Sequence, residues 1–170
     1  MTITPTTTPT PQIAHTDGRH DFDFFIGKWQ IANRRLRQRL ANCSEWEAFP
    51  GSTVVQSILD GLGNFEEGTF KRAAGTMRGM TLRLFNPSTQ EWYLHWADSV
   101  TGMLFPPMIG KFSGGRGQFY AQEENNGATV YSRFIWSDIT THTCHWEQAL
   151  SEDGGSTWET NWTMDFRREA

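Results

Sequence analysis

The chain has 170 residues, a formal net charge of −4 and a pI of 5.7. One domain fits that length, and the acidic balance excludes the basic profile of a nucleic-acid-binding domain. Leu, Ile, Val and Phe number only 33, but 12 Phe, 8 Trp and 3 Tyr each carry ~150–250 Å² of ring surface, so a core made of rings replaces an aliphatic one and disorder of the main body is excluded.

Residues 1–19, which include the run TITPTTTPTPQ, read as a flexible Thr/Pro-rich tail, with the folded domain over 20–170. The first residues show no basic and apolar leader, so no signal peptide is expected. No run approaches the ~18 apolar residues of a membrane span. Cys43 and Cys144 have neither a disulfide framework nor metal spacing. A cytoplasmic location, two free thiols and no metal are therefore expected.

A helical turn is predicted over Asp21–Ile26, ending at Gly27. Beyond it the apolar period is two, the mark of strands. Lys28–Leu40 reads as one strand whose phase drifts, with Trp29 and Ile31 on one face and Leu36 and Leu40 on the other; a bulge near Asn33–Arg35 would reconcile them. Trp46–Ile58 reads as a strand broken at Pro50-Gly51. A turn at Asp60–Gly63 and a strand over Asn64–Arg72 follow. Met80, Leu82 and Leu84 alternate with Thr81 and Arg83, and after the turn at Asn86-Pro87-Ser88 Trp92, Leu94 and Trp96 alternate with Tyr93 and His95. Asn126-Gly127 carries a hairpin signal between a strand at Phe119 and one spanning Val130–Trp136. Strands through His142–Leu150 and Trp158–Phe166 complete eight to ten antiparallel strands joined by short turns, which predicts a barrel or sandwich.

Two short motifs add to this. Ser151-Glu152-Asp153-Gly154-Gly155-Ser156-Thr157-Trp158 resembles the Asp-box of sialidase-type propellers. A single copy is read as a hairpin device between the last two strands. Phe24-Phe25-Ile26-Gly27-Lys28-Trp29, a helical entry followed by Gly-x-Trp, resembles the opening of lipocalin-like (calycin) barrels. The segments FDFFIGKWQIANRRLRQRL, MRGMTLRLFNPSTQEWYLHWADSVTG and WEQALSEDGGSTWETNWTMDF are similar to an uncharacterised bacterial family of lipocalin-like domains. The resemblance implies an all-β fold, a single antiparallel calycin-type barrel with a short N-terminal helical turn. It implies no particular activity and no cofactor.

Alternation separates two faces. Leu82, Leu84, Trp92, Leu94, Trp96, Val130, Phe134, Trp136, Trp146, Trp158, Trp162 and Met164 form the apolar face expected to point inward, with Asp98, Ser132, His142, Cys144, Gln148 and Thr160 among them. Arg83, Tyr93, His95, Tyr131, Arg133, His145, Glu147, Glu159, Asn161 and Asp165 form the polar face, and a register slip of one residue would exchange the two. The favoured function is binding of a small apolar or aromatic molecule, with Trp29, Arg83, Tyr93, Trp96, Arg133, Trp136, Trp146, Gln148 and Trp162 as candidate contacts. The alternative is an isomerase, lyase or cyclase on the same barrel, with His95 or His145 as acid/base and Arg83 or Arg133 holding an anionic group. A third reading is a dimeric interaction protein whose barrel is filled by its own rings. Two loop features remain open. Arg34, Arg35, Arg37 and Arg39 make a basic ribbon, read as a solvated edge with one face that could reach the cavity. The apolar run Met103–Ile109 is expected to pack as a lid over the mouth or against a second subunit in a homodimer.

Overall fold

The computed structural model describes residues 17–125 and 127–169. Ten strands follow one another: β1 (Gly27–Leu36), β2 (Trp46–Ile58), β3 (Gly63–Arg72), β4 (Gly75–Asn86), β5 (Glu91–Asp98), β6 (Met108–Ser113), β7 (Arg116–Asn125), β8 (Ala128–Ser137), β9 (Thr143–Ser151) and β10 (Glu159–Arg168). Each pairs antiparallel with the next, and β1 closes on β10, so every strand has two neighbours and the sheet is a closed barrel. Closure removes the unpaired sheet edges that would otherwise template aggregation.

Short 3-10 helices at Gly18–His20 and Asp23–Phe25 plug the end where β1 begins. Residues 17–19 thus enter the first of these helices, while the rest of the expected tail lies outside the described residues. The plug is fastened from the last strand: Arg168 donates to the Ile26 carbonyl at 2.6 Å and to the Phe24 carbonyl. Its guanidinium also lies 4.2 Å from the Trp29 ring, and Trp29 Nε1 donates to the Phe25 carbonyl at 2.8 Å. The hairpins at 37–45, 73–74, 99–107 and 152–158 lie at the opposite, upper end. The β7–β8 hairpin closes there too, with Asn125 opposite Ala128; Asn126, half of the hairpin signal, is outside the described residues.

Several local expectations change. β1 keeps an unbroken register against both neighbours, with no bulge near Asn33–Arg35. Trp29, Ile31, Asn33 and Arg35 all face inward, the buried Leu36 falls on the outer face, and Leu40 lies beyond the strand with φ 53°. β2 runs through Pro50-Gly51 without a break. Pro50 points outward, and Gly51 is needed because a Cβ there would sit 3.0 Å from both Asn33 Nδ2 and the Thr69 carbonyl. The single register shift of β10 falls at Thr160/Trp162, which puts Thr160 in an irregularity. His142 is exposed and precedes β9.

The largest correction concerns β4. Met77, Gly79, Thr81, Arg83 and Phe85 face inward, and Leu82 and Leu84 face outward, only partly covered. A buried arginine reads in sequence as a surface residue. Here Arg83 is 3 % exposed because Nη1 donates to Asn64 Oδ1 at 2.9 Å and Nη2 pairs with the buried Glu66, both inward-facing on β3. Trp158 is also outside the barrel: its ring carries Arg133 at 4.4 Å and lies beside Tyr120. The 151–158 hairpin itself is as expected. Ser151 Oγ accepts from the Gly155 N–H at 2.8 Å, Asp153 from the Thr157 N–H at 2.8 Å and from the Thr157 hydroxyl at 2.7 Å, and Trp158 donates to the Gly155 carbonyl.

Candidate functional site

The interior holds two aromatic groups, with buried polar side chains interspersed along the same strands. In the lower half Phe22, Phe25, Trp29, Trp92, Phe119, Trp136 and Phe166 are at most 3 % exposed. Their rings meet edge-to-face or stacked, as in Phe25–Trp136 at 4.7 Å, Phe22–Trp92 at 5.0 Å and Trp136–Phe166 at 5.6 Å. Each such pair adds about 0.5–1.5 kcal/mol beyond the area it buries. The Arg83 guanidinium stands among them, 5.0 Å from the Phe25 ring, 5.2 Å from Phe22 and 5.6 Å from Trp136. This half is a solid plug.

The buried, inward-facing polar residues include Asn33, Asn64, Glu66, Thr81, Ser132 and Gln148. Ser132 donates to Glu123, and Trp162 Nε1 donates to Asn33 Oδ1 at 3.1 Å. Cys144 lies opposite Phe166 on the neighbouring strand, and burial, with Glu66 nearby, pushes its thiol up to about 12. It is therefore neutral and unreactive as a nucleophile at physiological pH.

The upper half is built differently. Phe134–Trp146 (4.9 Å), Trp146–Trp162 (5.6 Å), Phe70–Trp162 (5.8 Å) and Phe70–Trp96 (6.1 Å) form a continuous arc of rings. Yet inward-facing Trp96, Ala121, Phe134 and Met164 are only partly buried, and Gln148 keeps 9 % exposure. A side chain that points into the barrel and is still reached by solvent marks an interior open to the mouth. Gly79 makes room for this wall: a Cβ there would fall 2.0 Å from the Trp96 ring. Trp96 is anchored by its own Nε1, which donates to Asp98 at 3.2 Å. Burial would raise the Asp98 pKa, but N–H groups of Thr101 and Val100, the Trp96 indole and the Thr101 hydroxyl outweigh it and hold the carboxyl below its usual range.

Of the candidate contacts, Trp96, Trp146, Gln148 and Trp162 come together in this upper chamber. Trp29, Arg83 and Trp136 belong to the sealed plug. Tyr93, His95, Arg133 and His145 sit on the outer face of the wall, since their alternate neighbours Trp92, Leu94, Phe134 and Trp146 face inward. His145 Nδ1 bonds Asp165 at 2.6 Å beside an open outer groove of about 470 Å³ lined also by Gln30, Asp138 and Arg167. His95 and His145 are thus separated from the chamber by the sheet.

Phe134 and Met164 are expected from the alternation to face inward but are not named among the candidate contacts, and Arg35 is not singled out from its ribbon. Arg35 was recognisable only as one member of a basic ribbon; unbroken alternation from Trp29 is the signal that turns it inward. It lies 4.6 Å over the Trp162 ring. The apolar segment after β5 does not cover the mouth. It runs beside β5, with Leu104 bridging Ala97 and the Phe105 N–H bonding the Trp96 carbonyl at 2.8 Å, and it leaves Val100, Met103, Leu104 and Phe105 exposed.

No protein-family model matches the chain, and no curated protein matches it either. Among the described residues no helix is long and apolar enough to cross a membrane. The fold is that of a single closed antiparallel β-barrel, consistent with the calycin superfamily.

Proposed function

We propose that the chain binds a small apolar or aromatic molecule in the upper half of its barrel. The observation that carries this reading is the contrast in exposure within one interior: rings of the lower half are sealed, whereas Trp96, Phe134 and Met164 of the upper half face inward and remain accessible. Ligand chambers have this makeup, mostly apolar walls with a few placed polar groups. Gln148 and Asn33 supply polar atoms in the chamber wall, and the ring faces of Trp162 and Trp146 supply flat contact area.

N-phenyl-1-naphthylamine, a neutral probe that brightens in apolar surroundings, tests the reading. Saturable binding is expected, and Trp162→Ala should weaken it about tenfold, the effect of losing a central aromatic contact. Trp158→Ala, which removes an equally large ring from the outer wall, should leave it unchanged. No saturable binding, or equal losses from the two variants, would refute the proposal.

A second reading rests on a separate observation: Val100, Met103, Leu104 and Phe105 are 38–77 % exposed in one stretch, and contiguous apolar surface of this kind marks association sites. It has the chain form a homodimer through this segment. Sedimentation velocity should show a dimer that Leu104→Asp dissociates; a monomer at all concentrations removes this reading.

A further inference from the structure

Arg35 is a chamber residue whose chemistry the binding of an apolar body does not use. It projects inward from β1 at the upper end, two residues beyond Asn33 on the same face, and stacks 4.6 Å over the Trp162 ring. Among the described residues its guanidinium makes no hydrogen bond or ion pair with a protein acceptor. The acids whose charge it feels are occupied elsewhere. Glu47 is bound by Arg72, at 2.6 Å and 3.2 Å, and by the Ala73 N–H. Asp98 is held by Val100, Thr101 and Trp96. Arg39 and Arg72 add positive charge on the same side. Just below, Asn33 spends its oxygen on Trp162, and its buried Nδ2 finds no protein acceptor among the described residues.

A partly buried guanidinium fork that no protein acceptor occupies is free to receive an acidic group from a ligand. Its planar geometry matches a carboxylate or sulfonate in a two-point contact. The ring beneath fixes the orientation of the fork, aided by cation–π attraction. We propose that the ligand of the upper chamber is amphipathic and anionic, with its acidic head group received by Arg35 at the mouth and its apolar body against Trp162, Trp146 and Trp96. This rests on the binding reading above and adds the charge class of the ligand and the residue that selects it. Burial first, then Arg39 and Arg72, bring the Arg35 pKa down to about 10, which keeps it cationic at neutral pH where a carboxylate is ionised.

Calorimetric titration of the full chain with 1-naphthaleneacetate and with its neutral amide, 1-naphthaleneacetamide, at low salt separates the two levels of the argument. The acid is expected to bind about tenfold more tightly than the amide. Arg35→Met should abolish that preference while keeping the affinity for the amide, and Arg35→Lys should retain part of it as a point charge without the fork. If acid and amide bind the native chain equally, or if Arg35→Met keeps the preference, the anionic assignment is overturned while chamber binding stands. If neither compound binds, both proposals fall. The comparison of acid with amide on the native chain needs no variant, so a variant that fails to fold does not rescue the assignment.

Discussion

The two halves of the barrel interior use the same residue types to opposite ends. In the lower half, rings from the 3-10 plug interlock with rings from the wall, and nothing of Phe25, Trp29 or Phe119 reaches solvent. Above it no plug segment is present among the described residues, and rings from the wall pack on one another instead, Trp96 and Trp162 meeting across the barrel at 6.4 Å, while Trp96, Phe134 and Met164 stay partly accessible. A high aromatic content therefore does not by itself distinguish a packed core from a pocket. The difference lies in whether a segment from outside the sheet supplies the other half of the packing. Here Phe22 and Phe25 do that at one end, and among the described residues no corresponding residue does it at the other.

That contrast can be broken most forcefully at the ion pair embedded in the sealed half. Glu66→Ala leaves Arg83 buried without its charged partner and should destabilise the fold by about 3–5 kcal/mol, measured by urea unfolding. A loss below 1 kcal/mol would mean that this half is not sealed. Phe25→Ala should cost ~3–5 kcal/mol with little change in probe affinity, whereas Trp96→Ala should cost less stability and more affinity. The same loss of stability for both would erase the distinction between halves. Thiol labelling sharpens it next. With the Cys144 thiol raised to about 12 by burial, iodoacetamide at pH 8 should modify the folded chain once, at the half-exposed Cys43, and twice only after unfolding, as read by mass spectrometry.

The smallest effect lies outside the barrel, at the 151–158 hairpin. Hydrogen bonds from the Thr157 N–H and hydroxyl and from Ser151 lower the Asp153 pKa to about 2. The folded value is depressed, so the stabilisation is present above the ordinary carboxylate range near ~3.9 and is lost as pH falls through about 2. The Thr157 amide resonance should shift with that midpoint; a midpoint near 4 would remove the capping role from Asp153.

Much of this was legible in the sequence, for reasons that are physical. Period-two alternation, turn residues and the Gly-x-Trp entry led to the barrel. The ten strands follow the turns at Asp60–Gly63, Asn86–Ser88 and the Ser151–Trp158 hairpin in order. Which face points inward was harder. It was read correctly where the inward residues are rings, at Trp92, Trp96, Phe134, Trp136 and Trp146, and wrongly at β4. There Arg83 is inside because Glu66 and Asn64 on the neighbouring strand satisfy it, and Thr81 shares its face. A cross-strand pairing of that kind leaves no mark in either strand's own pattern. Trp158 misled for the complementary reason, since a large ring can bury one side against Arg133 and Tyr120 on the outer surface. Arg35 lay in a run of alternating arginines, and only the unbroken register of β1 decides which of them turn inward.

The missing methyl at Gly79 has a consequence for how this chamber evolves. The Trp96 ring occupies the space where a Cβ of residue 79 would be, so the two positions on neighbouring strands are not free to vary independently. A relative with alanine or a larger residue at the position of Gly79 must carry a smaller side chain at that of Trp96, and its chamber would be reshaped at that wall. Residue 79 thus acts as a specificity switch, through the space it leaves empty.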